Sequence, residues 1–327
     1  MGGYLGFLYN QLFFAPQPLP RSVDLRGQTA IVTGANVGLG LEAAKQLAAR
    51  ELSRLILGVR TVSKGETAAE EIRKQSPKCD VQVWQVDQEN WDSMKQFGET
   101  AQKLDRLDIV ILNAGVKCLS FGRSPTGHER HVQVNHLATA LFSLLLLPPL
   151  QITGRTKGSP ARLTIVTSEV HFWTDFSEKE APNILARLDE EESFRPGVNR
   201  YCTSKLLNVL WLRELSDRAG SGVVVNGLNP GLCASEFHRS DTALPVRLFN
   251  WLVAYSAELG GRNLVNAAIL HEGSPGAYIS EQAVKDPSPF VLSNKGKEIQ
   301  RRLWEETVVV LEHSAAVDLG LENVLAD

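Results

Sequence analysis

Between Thr29 and Gly231 the chain repeats one pattern: a short apolar run rich in β-branched residues, then a longer segment with helical spacing. TAIVT (29–33) leads through a glycine-rich turn into LEAAKQLAAR (41–50), and LILGV (55–59) leads into TVSKGETAAEEIRKQ (61–75). VQVWQV (81–86), DIVILNAG (108–115), LTIVTS (163–168) and VVVNGLNPG (223–231) continue the series. These runs lack strict polar alternation, which suits parallel strands covered on both faces. Strands alternating with helices at this spacing predict βαβ units, hence an α/β fold with a Rossmann-type doubly wound parallel sheet. AYIS (277–280) adds a predicted edge strand.

The chain has 327 residues, a length that one domain or two could use. The strand series assigns residues 25–315 to a single domain. The rest is an apolar leader (1–24), a tail (316–327), and two interruptions of the rhythm at 170–200 and 235–257, read as substrate-loop insertions. With 34 basic and 37 acidic residues the net charge is −3, which excludes a strongly basic nucleic-acid binder and an acidic disordered tail. Cys79, Cys118, Cys202 and Cys233 form no CxxC pair, and no His cluster has metal-ligand spacing, so neither a disulfide framework nor a metal site is expected. Free thiols suit a reducing, cytoplasmic setting.

The leader opens MGGYLGFLYNQLFF and stops at Ala15-Pro16. It is shorter than the roughly 20 residues a bilayer span needs, has no basic n-region, and carries Gly6 where a myristoylation signal has Ser or Thr. Two readings stay open. Residues 1–14 pack on the domain or cover its pocket, or they form an interfacial anchor to an endomembrane or lipid droplet. LATALFSLLLLPPL (137–150) is also too short to span and reads as a buried helix closed by Pro148-Pro149.

Gly34-Ala35-Asn36-Val37-Gly38-Leu39-Gly40 lies between the first strand and the first helix. Glycines there let the backbone approach a pyrophosphate, and the helix N-terminus offers free N–H groups and a positive dipole end. The spacing is G-x-x-x-G-x-G. About 20 residues further on, where an NAD site carries an acid for the ribose, this chain has Arg60, with Lys64 following and no acid in 55–64. Arg can hold a 2′-phosphate through paired N–H groups, so NADP(H) is preferred over NAD.

Tyr201 and Lys205 stand four apart, on one face if the segment is helical. An ammonium beside a phenol favours the phenolate and lowers its pKa from about 10, which suits a proton donor or acceptor.

The glycine turn, Asn113-Ala114-Gly115, Ser168, Tyr201-x-x-x-Lys205 and Pro230-Gly231 occur in that order, each at the C-terminal end of a strand or on the helix after it. With these motifs, residues 25–315 resemble the classical short-chain dehydrogenase/reductase family, in its retinol-dehydrogenase-like branch and similar to fungal members. The resemblance implies Tyr201 as the general acid/base, Lys205 as its tuner and the holder of the nicotinamide ribose, and Ser168 as the hydrogen-bond donor to the substrate oxygen. It implies that Asn135 holds a water for proton relay. Asn113, Ala114 and Gly115 would lie along the cofactor, Asp87 would bond the adenine or else cap the next helix, Pro230, Gly231 and Leu232 would flank the nicotinamide, and Ser235 would touch its carboxamide. His171 is read either as a substrate contact or as a structural histidine, and His128 and His131 as surface or helix residues. Phe172, Trp173 and Trp251 are read either as pocket wall or as core.

The implied function is NADP-dependent hydride transfer between nicotinamide and a carbonyl or alcohol on a small-molecule substrate, as a tailoring step in secondary metabolism. The alternatives are a non-catalytic NADP(H)-sensing module and a membrane-associated retinoid- or lipid-type reductase.

Overall fold

The computed structural model describes residues 4–234 and 244–315, so Ser235, the start of the 235–257 interruption and the expected tail 316–327 lie outside the described residues. In chain order the elements are α1 (Tyr4–Phe13), β1 (Thr29–Thr33), α2 (Gly38–Ala48), β2 (Arg54–Val59), α3 (Val62–Gln75), β3 (Asp80–Gln85), α4 (Trp91–Ala101) and β4 (Ile109–Leu112). They continue with α5 (Ala138–Lys157), β5 (Ala161–Val166), α6 (Ile184–Leu188), α7 (Asn199–Arg218), β6 (Val223–Leu228) and α8 (Leu244–Val253). The last are α9 (Ala257–Leu270), β7 (Tyr278–Ser280), β8 (Ala283–Lys285), α10 (Pro289–Leu292) and α11 (Asn294–Ser314).

The strands form one sheet in the order β3-β2-β1-β4-β5-β6-β7-β8, parallel throughout except for β8, which pairs antiparallel with β7. The order reverses between β1 and β4, and that switch point opens a crevice at the strand C-termini. Neighbouring residues of each central strand serve opposite layers. Ile31, Val110 and Leu112 join the core under α4, α5, α7 and α11. Ala30, Val32, Ile109 and Ile111 join the core under α2, α3 and α9. This is why the runs read as continuously apolar.

Two expectations change. Tyr278–Ser280 is not the edge, because the hairpin partner β8 lies outside it. Nor does Pro148-Pro149 close the buried helix: α5 runs through both prolines to Lys157 and ends at Gly158. Each proline removes an amide donor, at about 3 kcal/mol or more. Leu141, Phe142, Leu146, Leu147 and Leu150 are completely buried, and each contributes roughly 1.5–3 kcal/mol, which outweighs the loss. This helix is long and apolar enough to cross a membrane by composition alone, but 89% of its apolar window is enclosed by the protein, as in a core helix.

The interruption at 170–200 folds into short turns of helix. Phe176, Ile184, Leu185 and Leu188 enter the core, and the N–H groups of Ile184 and Leu185 donate to Glu306 on α11 at 2.7 and 3.0 Å. Much of this segment is therefore core, and only its two ends, near Trp173 and Val198, reach the crevice.

Candidate active site

A cleft of about 850 Å³ runs along the C-terminal ends of the central strands. Gly34, Asn36, Gly38, Leu39, Arg60, Lys64, Asp87, Asn113, Ala114, Gly115, Ser168, Tyr201, Lys205, Pro230, Gly231 and Leu232 all border it. Gly40 and Asn135 stand behind its wall, and Ser235 lies outside the described residues.

The glycine turn is shaped for close approach. Gly34 and Gly38 have φ of +65° and +61°, the left-handed region that side chains disfavour. A Cβ on Gly40 would stand 2.4 Å from the Gly34 carbonyl oxygen and 2.6 Å from Asn113 Nδ2, so only glycine lets α2 start there. The N-cap Val37 has no side-chain cap bond, and the first turn carries no acid. The opening N–H groups of α2 therefore face the cleft with their positive dipole end, a cradle that fits a pyrophosphate. Asn113 braces this turn: its Nδ2 donates to the Thr33 carbonyl at 3.0 Å, and its own N–H donates to Thr33 Oγ1 at 3.0 Å.

At one end, Arg60 is mostly exposed and 3.7 Å from Glu89, which also pairs with Arg130 at 3.2 Å. Arg60, Arg130 and Lys64 thus border this end together with the carboxylates of Glu89 and Asp87, three cations against two anions, an excess of positive charge that suits a 2′-phosphate. Asp87 borders this end and accepts the Glu89 N–H at 2.9 Å, while the cap of α4 is Asn90, whose side chain accepts the Ser93 N–H at 3.0 Å.

The helix α7 carries Tyr201 and Lys205 to the ends of β4 and β5. Lys205 is 5% exposed; its Nζ donates to the Val166 carbonyl at 2.8 Å and stands 5.9 Å from the Tyr201 ring centroid. Burial lowers its pKa to about 8. Burial raises the Tyr201 phenol above its ordinary value, and a hydrogen bond with Ser168 pulls the other way. This reverses the expected lowering by Lys205, because the cost of desolvating a buried phenolate dominates. Ser168 begins a short 3₁₀ turn (Glu169–Phe172), and its carbonyl accepts from His171 Nδ1 at 2.7 Å. His171 Nε2 in turn accepts the Ser288 N–H at 3.1 Å. His171 is 1% exposed and burial lowers its pKa to about 4, so it acts as a neutral brace for Ser168.

Asn135 lies in a π-helical turn, Val132–Leu137, just before α5. Its Oδ1 accepts the Val116 N–H at 2.8 Å, and its Nδ2 donates to the Val116 carbonyl and Ser204 Oγ, both at 2.9 Å. Asn208 Nδ2 donates to its main-chain carbonyl at 2.6 Å. The side-chain amide is thus committed to holding the 115–118 loop against α7.

On the far side, Gln11 of α1 grips Leu232. The Leu232 N–H donates to Gln11 Oε1 at 3.0 Å, and Gln11 Nε2 donates to the Leu232 and Val253 carbonyls at 2.9 and 3.0 Å. Phe7 reaches the cleft and meets Trp173 edge-to-face. The described part of the leader thus packs on the domain, with Phe7 at one side of the cleft.

A family model described as short chain dehydrogenase matches residues 28–172. The short chain dehydrogenase sol3 of Alternaria solani is 64% identical over 86% of this chain and 99% of that protein. The chain belongs to the short-chain dehydrogenase family. A second relative, the short chain dehydrogenase yanD of Aspergillus niger, is 40% identical over 90% of this chain and 95% of its own length. Among solved structures, a short-chain dehydrogenase from Sphingobium yanoikuyae in complex with NADPH superposes with a TM-score of 0.56 at 21% identity. That match spans 74% of this chain and 83% of that one, and it shows the shared fold.

This short-chain dehydrogenase also uses residues that its sequence did not single out. Thr33 and Ser204 brace the glycine turn and Asn135. Of the two readings of His131, the helical one holds: it lies on a helical turn, completely buried, bonds Glu129 through Nδ1 at 2.8 Å and accepts the Cys118 N–H through Nε2 at 3.0 Å. Glu169 borders the cleft beside Ser168, and burial, with Glu281 nearby, raises its carboxyl to about 7. The half-buried Phe172 lies against His171 with ring planes tilted by 45°, Trp173 borders the cleft, and Trp251 is 78% exposed.

Proposed function

We propose that this protein is an NADP-dependent oxidoreductase that interconverts a carbonyl and an alcohol on an apolar small molecule, as a cytoplasmic tailoring step in fungal secondary metabolism. The observation that carries this reading is the convergence of Ser168, Tyr201 and Lys205 on one cleft whose other end holds the glycine cradle and Arg60. The NADPH carried by the Sphingobium relative of the same fold supports the cofactor assignment.

When bound, the nicotinamide supplies or accepts the hydride. The cradle at α2 would hold the pyrophosphate, and Arg60, Lys64 and Arg130 would take the 2′-phosphate. Tyr201 gives its proton to the carbonyl oxygen in reduction and removes it in oxidation. The high phenol pKa keeps Tyr201 protonated at neutral pH, the form that reduction needs. Ser168 donates to the same oxygen as negative charge develops there. Lys205 stabilises the tyrosinate left behind.

The test is NADPH and NADH oxidation with a panel of carbonyl compounds. We expect NADPH to be preferred, and Arg60→Glu to raise the NADPH KM about tenfold or more while sparing NADH, since one charged hydrogen bond contributes about 1.5–3 kcal/mol. Binding of NADPH with no turnover of any compound would instead favour a sensing module.

A second reading concerns location. Tyr9, Leu12 and Phe13 on α1 and Leu248, Trp251 and Leu252 on α8 are exposed apolar residues on two linked elements, which favours contact with a membrane or lipid-droplet surface. Co-sedimentation with neutral lipid vesicles, lost in Phe13→Ser/Trp251→Ser, would support it; absence of co-sedimentation would overturn it.

A further inference from the structure

Phe7 and Gln11 lie one turn apart on the same face of α1 and are 7% and 5% exposed, whereas Tyr9, Leu12 and Phe13 on the other faces are open. The apolar leader thus turns its one inward amide onto main-chain groups. Gln11 serves both polar atoms of Leu232 and the carbonyl of Val253, and the Tyr255 hydroxyl donates back to the Phe14 carbonyl at 2.8 Å. These bonds fasten α1 to the chain on both sides of residues 235–243. Held this way, Phe7 meets Trp173 with ring centroids 5.6 Å apart and planes at 87°. Both rings border the cleft that holds Ser168 and Tyr201, together with Val170, Val198, Leu232 and Phe249. Crossed rings of this kind leave faces and edges that attract a further planar ring.

We propose that α1 is a wall of the substrate site: Phe7 and Trp173 form a slot selecting planar aromatic carbonyls and alcohols, and Gln11 positions that slot against the Leu232 loop. This deepens the oxidoreductase reading and rests on it for the reacting group. Calorimetric titration of the full-length protein with NADP⁺ present, using 2-naphthol against cyclohexanol, tests it without turnover. The expected result is that 2-naphthol binds at least about tenfold tighter, that Phe7→Ala and Trp173→Ala each remove most of this preference, and that Trp173→Phe retains it. Trp173 is partly exposed, so its variants decide the matter if Phe7→Ala fails to fold. No preference in the wild type, or a preference kept by Trp173→Ala, overturns the slot. A protein that prefers 2-naphthol in this way yet oxidises NADPH with no carbonyl overturns the oxidoreductase reading instead and leaves the slot standing.

Discussion

Lys205 Nζ donates to the main-chain carbonyl of Val166 at 2.8 Å, two residues before Ser168 on the same strand end. One bond therefore joins the helix carrying the tyrosine to the strand carrying the serine. Removing the ammonium takes away both a positioning contact and a positive charge 5.9 Å from the Tyr201 ring centroid. Lys205→Met is expected to lower kcat/KM by about 100-fold or more, within the range of a positioned proton-transfer group. Lys205→Arg is expected to recover little, because a planar guanidinium does not fit the single-carbonyl site. Steady-state kinetics checks this, with circular dichroism to show that the variants fold.

The glycine turn makes a sharper steric prediction. A methyl group at residue 40 meets two groups it cannot displace cheaply, the Gly34 carbonyl and the Asn113 amide that braces it. Gly40→Ala is expected to weaken NADPH binding at least about tenfold and to lower the melting temperature, overpacking of this kind typically costing 1–3 kcal/mol. Fluorescence titration of NADPH and thermal melts read the two effects separately.

Glu169 predicts a pH dependence of stability. Its native pKa is raised to about 7, above that of the unfolded chain near 4.3–4.5, so the folded state binds the proton more tightly. The stabilising contribution is full below the unfolded pKa and is lost as pH rises through about 7. Glu169→Gln keeps the neutral form at every pH. Its melting temperature relative to wild type is expected to rise between pH 5 and pH 8; a constant difference would contradict this placement of the carboxyl.

What could be read from the sequence follows from burial on two faces. TAIVT matches β1 residue for residue because parallel central strands leave no polar face to blur their limits. The cleft residues were legible for a related reason, since strand C-termini collect them at motif spacings. The direction of the Tyr201 shift was not legible: sequence shows the neighbouring lysine but not the burial of the phenol, whose desolvation cost raises its pKa. Pro148 and Pro149 misled because local propensity is overridden when most of a helix is buried in the core. The buried pairing of His131 and the role of Gln11 were not legible because their partners, Glu129 and Cys118 for one and Leu232 and Val253 for the other, are set by tertiary folding.

The measurement that tests the account most directly is NADPH oxidation by Tyr201→Phe beside its NADPH affinity. Loss of the hydroxyl removes the proton for the carbonyl oxygen and leaves the cradle intact. The account predicts turnover reduced by about 1000-fold or more, with NADPH binding within about twofold of wild type. Turnover near the wild-type rate in that variant would contradict it.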